Sequence, residues 1–139
     1  MEPQRNEPLF KAISADPYAR LVGIDYQEMR PGYGRTAMTV TPALLNARGI
    51  PHGGAIFTLA DCAFAAASNS HGELAVALSM SINFLAAVPP GTRLVAEAQE
   101  IRKGRRAGFY QIAVTTEAGE PVATLQAVVH RKREPFLQQ

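Results

Sequence analysis

The sequence predicts an α+β fold in which a curved antiparallel sheet of five or six strands wraps one long buried helix. Three observations carry this. Gly53 to Asn69 is the single long helix candidate, and Ala, Leu, Phe and Ile fill nearly all its faces, the mark of a helix enclosed by other structure. Two strand-like segments precede it and four follow, with apolar residues recurring at period two. Short Gly-bearing turns link the last three segments, making them consecutive antiparallel neighbours. A lone apolar helix among strands is most simply covered by the sheet those strands form.

Element by element, Pro8 to Leu21 reads as a short helix or two around Pro17. Gly23 to Met29 and Tyr33 to Val40 read as strands about the turn Arg30-Pro31-Gly32, with Thr36, Met38 and Val40 alternating against Arg35, Ala37 and Thr39. Thr41 to Pro51 is a loop punctuated by Pro, Asn and Gly. The helix follows, stopped by His71-Gly72, where glycine can take the left-handed conformation. Val76, Leu78, Met80, Ile82 and Phe84 then alternate with Ala77, Ser79, Ser81 and Asn83, which predicts a strand with one apolar face. Beyond Pro89-Pro90-Gly91, strands are expected around Leu94, Ala96 and Ala98, around Tyr110, Ile112 and Val114, and from Ala123 to Val129. Turns fall at Lys103-Gly104 and Ala118-Gly119-Glu120.

The chain of 139 residues is read as one domain, 1–139, with its ends, about residues 1–7 and 134–139, expected to be flexible. Hydrophobic residues at 47% and charged residues at 19% match ordinary globular usage, which excludes disordered and fibrous classes. The most apolar stretch, Ala55 to Ala67, is interrupted by Asp61 and is shorter than the roughly 20 residues a membrane helix needs, so no membrane partner is expected. The opening MEPQRNEP carries acids and no apolar run, unlike a signal peptide. One cysteine, Cys62, cannot form an intrachain disulfide or a multiple-cysteine metal site; a cytoplasmic location and no metal are the expectations. A net charge of +2 is too slight to indicate nucleic acid, and no helix-borne basic surface is evident.

The helix raises the chemical question. A carboxylate at Asp61, within a segment otherwise suited to burial, costs several kcal/mol unless it is paired, neutralised or used. At the helix start the first amides lack internal partners and carry the positive end of the dipole. Gly53 and Gly54 allow a substrate to approach that backbone closely. An amide donor at one place and a carboxylate at another suit acyl transfer: the donor polarises a carbonyl, and the carboxylate attacks it or activates water. Both options stay open. Asp61 lies seven or eight residues after the glycines, roughly 10–12 Å down the same helix, so one carbonyl carbon cannot reach both. If both act, they come from different subunits, as a twofold dimer provides.

The phrase LNARGIPHGGAIFTLADCAFAAASNSHG, residues 45–72, with SMSINFLAAVPPG and GRRAGFYQIAV, resembles the hotdog-fold thioesterases of the phenylacetate-degradation type, over about Leu21 to Arg131. The resemblance implies hydrolysis of acyl-coenzyme A thioesters by dimers or tetramers, most simply a dimer of dimers. It makes Asp61 the catalytic carboxylate and Gly53 the carbonyl-polarising N–H, with Asn46 and His52 beside it. Two positions depart from the family pattern: Asn83, where an acid is frequent, and Ala86, where a base is common. Both border the expected substrate channel. Gly54, Phe57, Asn83 and Phe84 are the expected substrate contacts, and Arg105 and Arg106, in the basic turn from Arg102, suit the phosphates of coenzyme A. Coenzyme A enters as part of the substrate, and no separate cofactor is expected.

The acyl group expected is medium-chain or aryl. Plainer roles exist for each residue: an interface hydrogen bond for Asp61, a cap for His52, a turn for Asn46, a solvated loop for the arginines. Cys62 points about 100° from Asp61 and reads as inert packing. Two other functions compete with hydrolysis: a non-catalytic acyl-CoA binding or sensing module, against which the presence of Asp61 argues, and a hotdog enoyl-CoA hydratase or dehydratase, which would need His52 and Asp61 as paired acid and base.

Overall fold

The computed structural model describes residues 5–138. Two short helices, α1 (Glu7–Ser14) and α2 (Pro17–Val22), lead into strands β1 (Ile24–Arg30) and β2 (Tyr33–Thr39). A 3-10 turn (Pro42–Leu44) and loop precede α3 (Gly53–Asn69), after which β3 (Glu73–Phe84), β4 (Arg93–Lys103), β5 (Ala107–Thr116) and β6 (Pro121–Pro135) complete the chain. The six strands form one antiparallel sheet in the order β1-β2-β4-β5-β6-β3. Among the described residues no helix is long and apolar enough to cross a membrane.

Both small helices are set by their caps. Asn6 accepts the Leu9 N–H, and Asp16 accepts those of Tyr18 and Ala19, so each side chain satisfies amides that the first turn leaves free. α1 buries Leu9 and Ile13 against Met29 and Ala66, and α2 ends at Gly23, whose φ of +89° requires a residue without Cβ strain.

The alanine-rich composition of α3 has a packing reason. Ala60, Ala63, Ala66 and Ala67 are fully buried, and the small face lets β2 lie directly on the helix backbone. The buried Thr36 hydroxyl donates to the Leu59 carbonyl at 2.9 Å, pinning strand to helix. The helix ends where the sequence predicts. Ser70 donates to the Ala67 carbonyl and accepts the Gly32 N–H, while the Asn69 side chain accepts the Ala75 N–H. One helix end is thereby tied to the β1–β2 turn and to the start of β3.

One expectation is corrected. The β3 alternation predicts a buried apolar face, yet Leu78 is 64% and Phe84 54% exposed. β3 pairs only with β6, at the end of the sheet, and a register shift between Ala77 and Ser79 breaks the alternation; only Met80 and Ile82 reach the core from that stretch. Of the ends expected to be loose, residues 1–4 and 139 lie outside the described residues, whereas Glu7 opens α1 and β6 continues through Glu134. The Phe136 N–H also donates to the Gly72 carbonyl at 2.9 Å.

Candidate active site

The loop before α3 is closed by Asn46. Its side-chain oxygen accepts the N–H groups of Arg48 (2.9 Å) and Ile50 (3.3 Å), and its own N–H donates to the Ile50 carbonyl at 2.8 Å. The turn needs Gly49 at φ +81°. His52 donates its N–H to the Leu44 carbonyl, and Leu45 bridges Pro51. Together these bonds set Asn46, Ile50 and Pro51 beside the first residue of the helix. A cavity of about 390 Å³ opens there, lined by Asn46, Ile50, Pro51, Gly53, Ile56, Phe84 and the segment Leu85 to Val88.

Gly53, the first residue of the helix, lines this cavity. His52 is the cap: its Nδ1 accepts the Gly54 N–H at 2.8 Å, and its carbonyl accepts from Ala55 and Ile56. A ring nitrogen that accepts is unprotonated, so in the neutral imidazole the proton sits on Nε2. The Gly53 N–H has no acceptor among the described residues and stands at the positive end of a helix of 17 residues. A Thr58 hydroxyl bond to the Gly54 carbonyl fixes this first turn. The Phe84 ring lies over Gly53, 3.1 Å from where a Cβ would stand.

Asp61 lies elsewhere. Eight residues beyond Gly53, it is about 12 Å further along α3 and outside the cavity lining. It is half-buried, and burial, followed by the charge of Asp16, pushes its carboxyl above the usual range. Beside it, burial pushes the Cys62 thiol up to about 12, so Cys62 is a neutral packing group and no nucleophile.

The remaining predicted residues divide. Asn46, Gly53 and Phe84 meet at the cavity, and His52 adjoins it as the cap. Gly54 is exposed just behind the cap, Phe57 packs partly buried against the core, and Asn83 is exposed opposite Thr124; none of the three lines the cavity. Arg105 and Arg106 are exposed at the β4–β5 turn, close to β6 around His130, whereas the cavity lies at the Phe84 end of β3. Ala75 pairs with Arg131 and Phe84 with Ala123, so the two ends are about 30 Å apart along the strand. Ala86, expected to border the substrate channel, lines the cavity, whereas sequence reasoning missed Ile50 and the neighbouring walls Leu85, Ala87 and Val88. Their signal was a non-alternating apolar run after β3, which in a strand reading has no place. It also missed Asp16, whose position before Pro17 marks a helix cap but not what lies across from it.

A six-stranded antiparallel sheet wrapped on one long helix, whose first residue lines an apolar cavity, defines a protein of the hotdog class. Comparison with known proteins narrows the class. Residues 48–123 match the family model described as the thioesterase superfamily. Over 116 residues the chain is 40% identical to the acyl-coenzyme A thioesterase PaaI of Escherichia coli K12, covering 84% of this chain and 83% of that protein. The solved structure of E. coli PaaI, from the phenylacetic acid degradation operon, matches with a TM-score of 0.87 at 34% identity over 95% of this chain and 99% of its own. A Streptococcus mutans UA159 protein bound to acetyl CoA matches with a TM-score of 0.77 at 28% identity, over 81% of this chain and 91% of its own. The chain belongs to the thioesterase superfamily and is a thioester hydrolase.

Proposed function

We propose that this enzyme hydrolyses a medium-chain or aryl, phenylacetyl-type acyl-CoA to the free acid and coenzyme A, at sites shared between two copies of the chain. The observation that carries the reading is the separation of the two reactive parts. Gly53, with its free N–H, lines a cavity that holds no carboxylate, and Asp61 sits about 12 Å away on the same rigid helix. A second copy related by a twofold axis supplies the missing group twice over. The similarity to E. coli PaaI, and to a protein seen with acetyl CoA, supports the substrate class.

In this reading the thioester carbonyl accepts the Gly53 N–H, which gains strength as negative charge develops on the oxygen; a donor of this kind is worth about 3 kcal/mol. Asp61 of the second copy then acts in one of two ways. It attacks the carbonyl carbon, the C–S bond breaks, coenzyme A leaves as thiolate, and water cleaves the resulting anhydride. Otherwise it takes a proton from water that attacks instead. Asn46 and His52 hold the loop and the amide, and the coenzyme A moiety is the only cofactor structure involved.

The exposed edge of β3, bearing Val76 and Leu78, favours assembly through that strand. Antiparallel pairing of two such edges would carry Arg105 and Arg106 of one copy toward the Phe84 end of the other, where they suit the phosphates of coenzyme A. Dimers pairing again into tetramers complete the proposed assembly, and the single cysteine fits a cytoplasmic setting.

Thiol release from a panel of short, medium, long and phenylacetyl-type thioesters tests the reading. Asp61→Asn and Asp61→Ala are expected to lose at least about a hundredfold in kcat with the fold and oligomer unchanged. Turnover indifferent to Asp61 would overturn it. Complementation tests the sharing: Gly53→Pro removes the donor yet suits the first helical position. An equimolar mixture of Gly53→Pro and Asp61→Asn chains, reassorted at random, should recover about a quarter of wild-type activity, since about half of its dimers are mixed and one of the two sites in each mixed dimer is intact.

A further inference from the structure

Asp16 lies outside the cavity and has so far only the role of capping α2. Its Oδ1 accepts the N–H groups of Tyr18 and Ala19 at 3.0 and 3.1 Å. Its Oδ2 turns the other way and accepts the Tyr26 hydroxyl at 3.1 Å, with the Cys62 Sγ at 3.9 Å. Donors from α2, β1 and α3 therefore converge on one carboxylate, and the last of them is the residue next to Asp61. A two-donor cap would need only Oδ1. The second oxygen is fixed against the helix turn that carries the reacting acid.

We infer that Asp16 is a positioning residue for the hydrolysis, its charge clamped by α2, β1 and α3 beside Asp61 so as to drive that carboxylate onto the electrophile. The inference rests on the reading of Asp61 as the reacting carboxylate. The surroundings leave Asp16 to act alone. Burial keeps the Tyr26 phenol well above its ordinary value and the Cys62 thiol at about 12, so neither brings charge. Among the described residues neither carboxylate has an ion-pair partner. Charged groups on the elements packed on α3 are exposed or engaged with one another: Arg20 of α2 is exposed, Glu28 and Arg30 of β1 pair in solvent, Asp25 of β1 pairs with Arg93, and Glu73 of β3 pairs with Arg131. Glu7 and Lys11 of α1 are exposed, Arg35 and Glu97 stand opposite each other in the strand register on the face of the sheet away from Thr36, and Glu100 meets His71 past the far end of the helix. The direction in which Asp61 is displaced, burial first and Asp16 second, agrees. A carboxylate that gives up its proton less readily is the better nucleophile or base once ionised.

Asp16→Asn separates charge from capping, because asparagine caps as well as aspartate and keeps an oxygen for Tyr18 and Ala19. Asp16→Ser, a second uncharged cap, serves if the first variant folds poorly. The measurement is kcat/KM against pH on the best thioester of the panel, with the thermal midpoint recorded alongside. The expected result is an acid limb moved down by about one pH unit and a plateau lowered several-fold, with the midpoint little changed. An acid limb that stays in place, in a protein whose turnover is wild-type and still lost in Asp61→Asn, overturns the inference alone and leaves Asp16 a cap. No wild-type turnover, or turnover indifferent to Asp61, overturns the catalytic reading and this inference with it.

Discussion

The ring of Phe84 covers Gly53 so closely that a Cβ on Gly53 would stand 3.1 Å from its Cζ. The Phe84 ring can lie this close to the first residue of the helix because residue 53 has no side chain. Gly53→Ala is expected to displace the ring and lower kcat/KM by about tenfold, as a donor misplaced by a fraction of an ångström loses much of its effect. Phe84→Ala in the same chain should restore part of the loss. Thioester kinetics on the three variants check this; loss without restoration would show that the ring is not what the added methyl meets.

Asp61 bears a stability cost that follows from its surroundings. Its folded-state carboxyl is raised, so its protonated form favours the fold below the ordinary carboxylate range, and that contribution is lost as pH rises through the folded value. The cost is fully present above the folded value. Asp61→Asn should therefore unfold about 2–5 °C higher than wild type near pH 7.5, with the gap closing below about pH 4. Thermal melts across pH check it, and equal midpoints at pH 7.5 would contradict it.

Glu100 works in the opposite sense. Burial alone would raise it, but hydrogen bonds from the Tyr110 hydroxyl (2.6 Å) and His71 (2.8 Å) outweigh burial and hold its carboxyl below the usual value. Its contribution is present above the unfolded value and is lost as pH falls through the folded one. Glu100→Gln should cost about 1–2 kcal/mol at pH 7, and the difference should narrow in acid. Urea unfolding at two pH values measures both.

Gly34 is where β2 touches the helix backbone. A Cβ there would lie 2.5 Å from the Ala63 carbonyl oxygen and 2.8 Å from the Ala67 nitrogen, neither of which can move without shifting α3. Gly34→Ala should destabilise by about 1–3 kcal/mol or more, measured by denaturant unfolding. A neutral result would mean that sheet and helix part more easily than their contact suggests.

The sequence by itself determined the elements and one constraint on chemistry. Helix α3 runs over the predicted residues because its signal is local: glycines at the start, small apolar residues throughout, and a His-Gly stop. The β4-β5-β6 meander was legible for the same reason, since tight turns between alternating segments leave one pairing. The constant rise of a helix also set Gly53 and Asp61 too far apart to serve one carbonyl in a single chain. Tertiary structure alone decided that β2 lies against β4 and that β3 crosses to the far edge beside β6, because those pairings close over long segments with no local mark. That placement exposed Leu78 and Phe84 despite their alternation, set Arg105 and Arg106 at the opposite end from the cavity, and left Phe57 and Asn83 outside it. It also brought Asp16, 45 residues earlier in the chain, to the helix turn of Asp61. Alternation along a strand records which side chains share a face; what covers that face depends on elements distant in sequence, and only the folded chain supplies them.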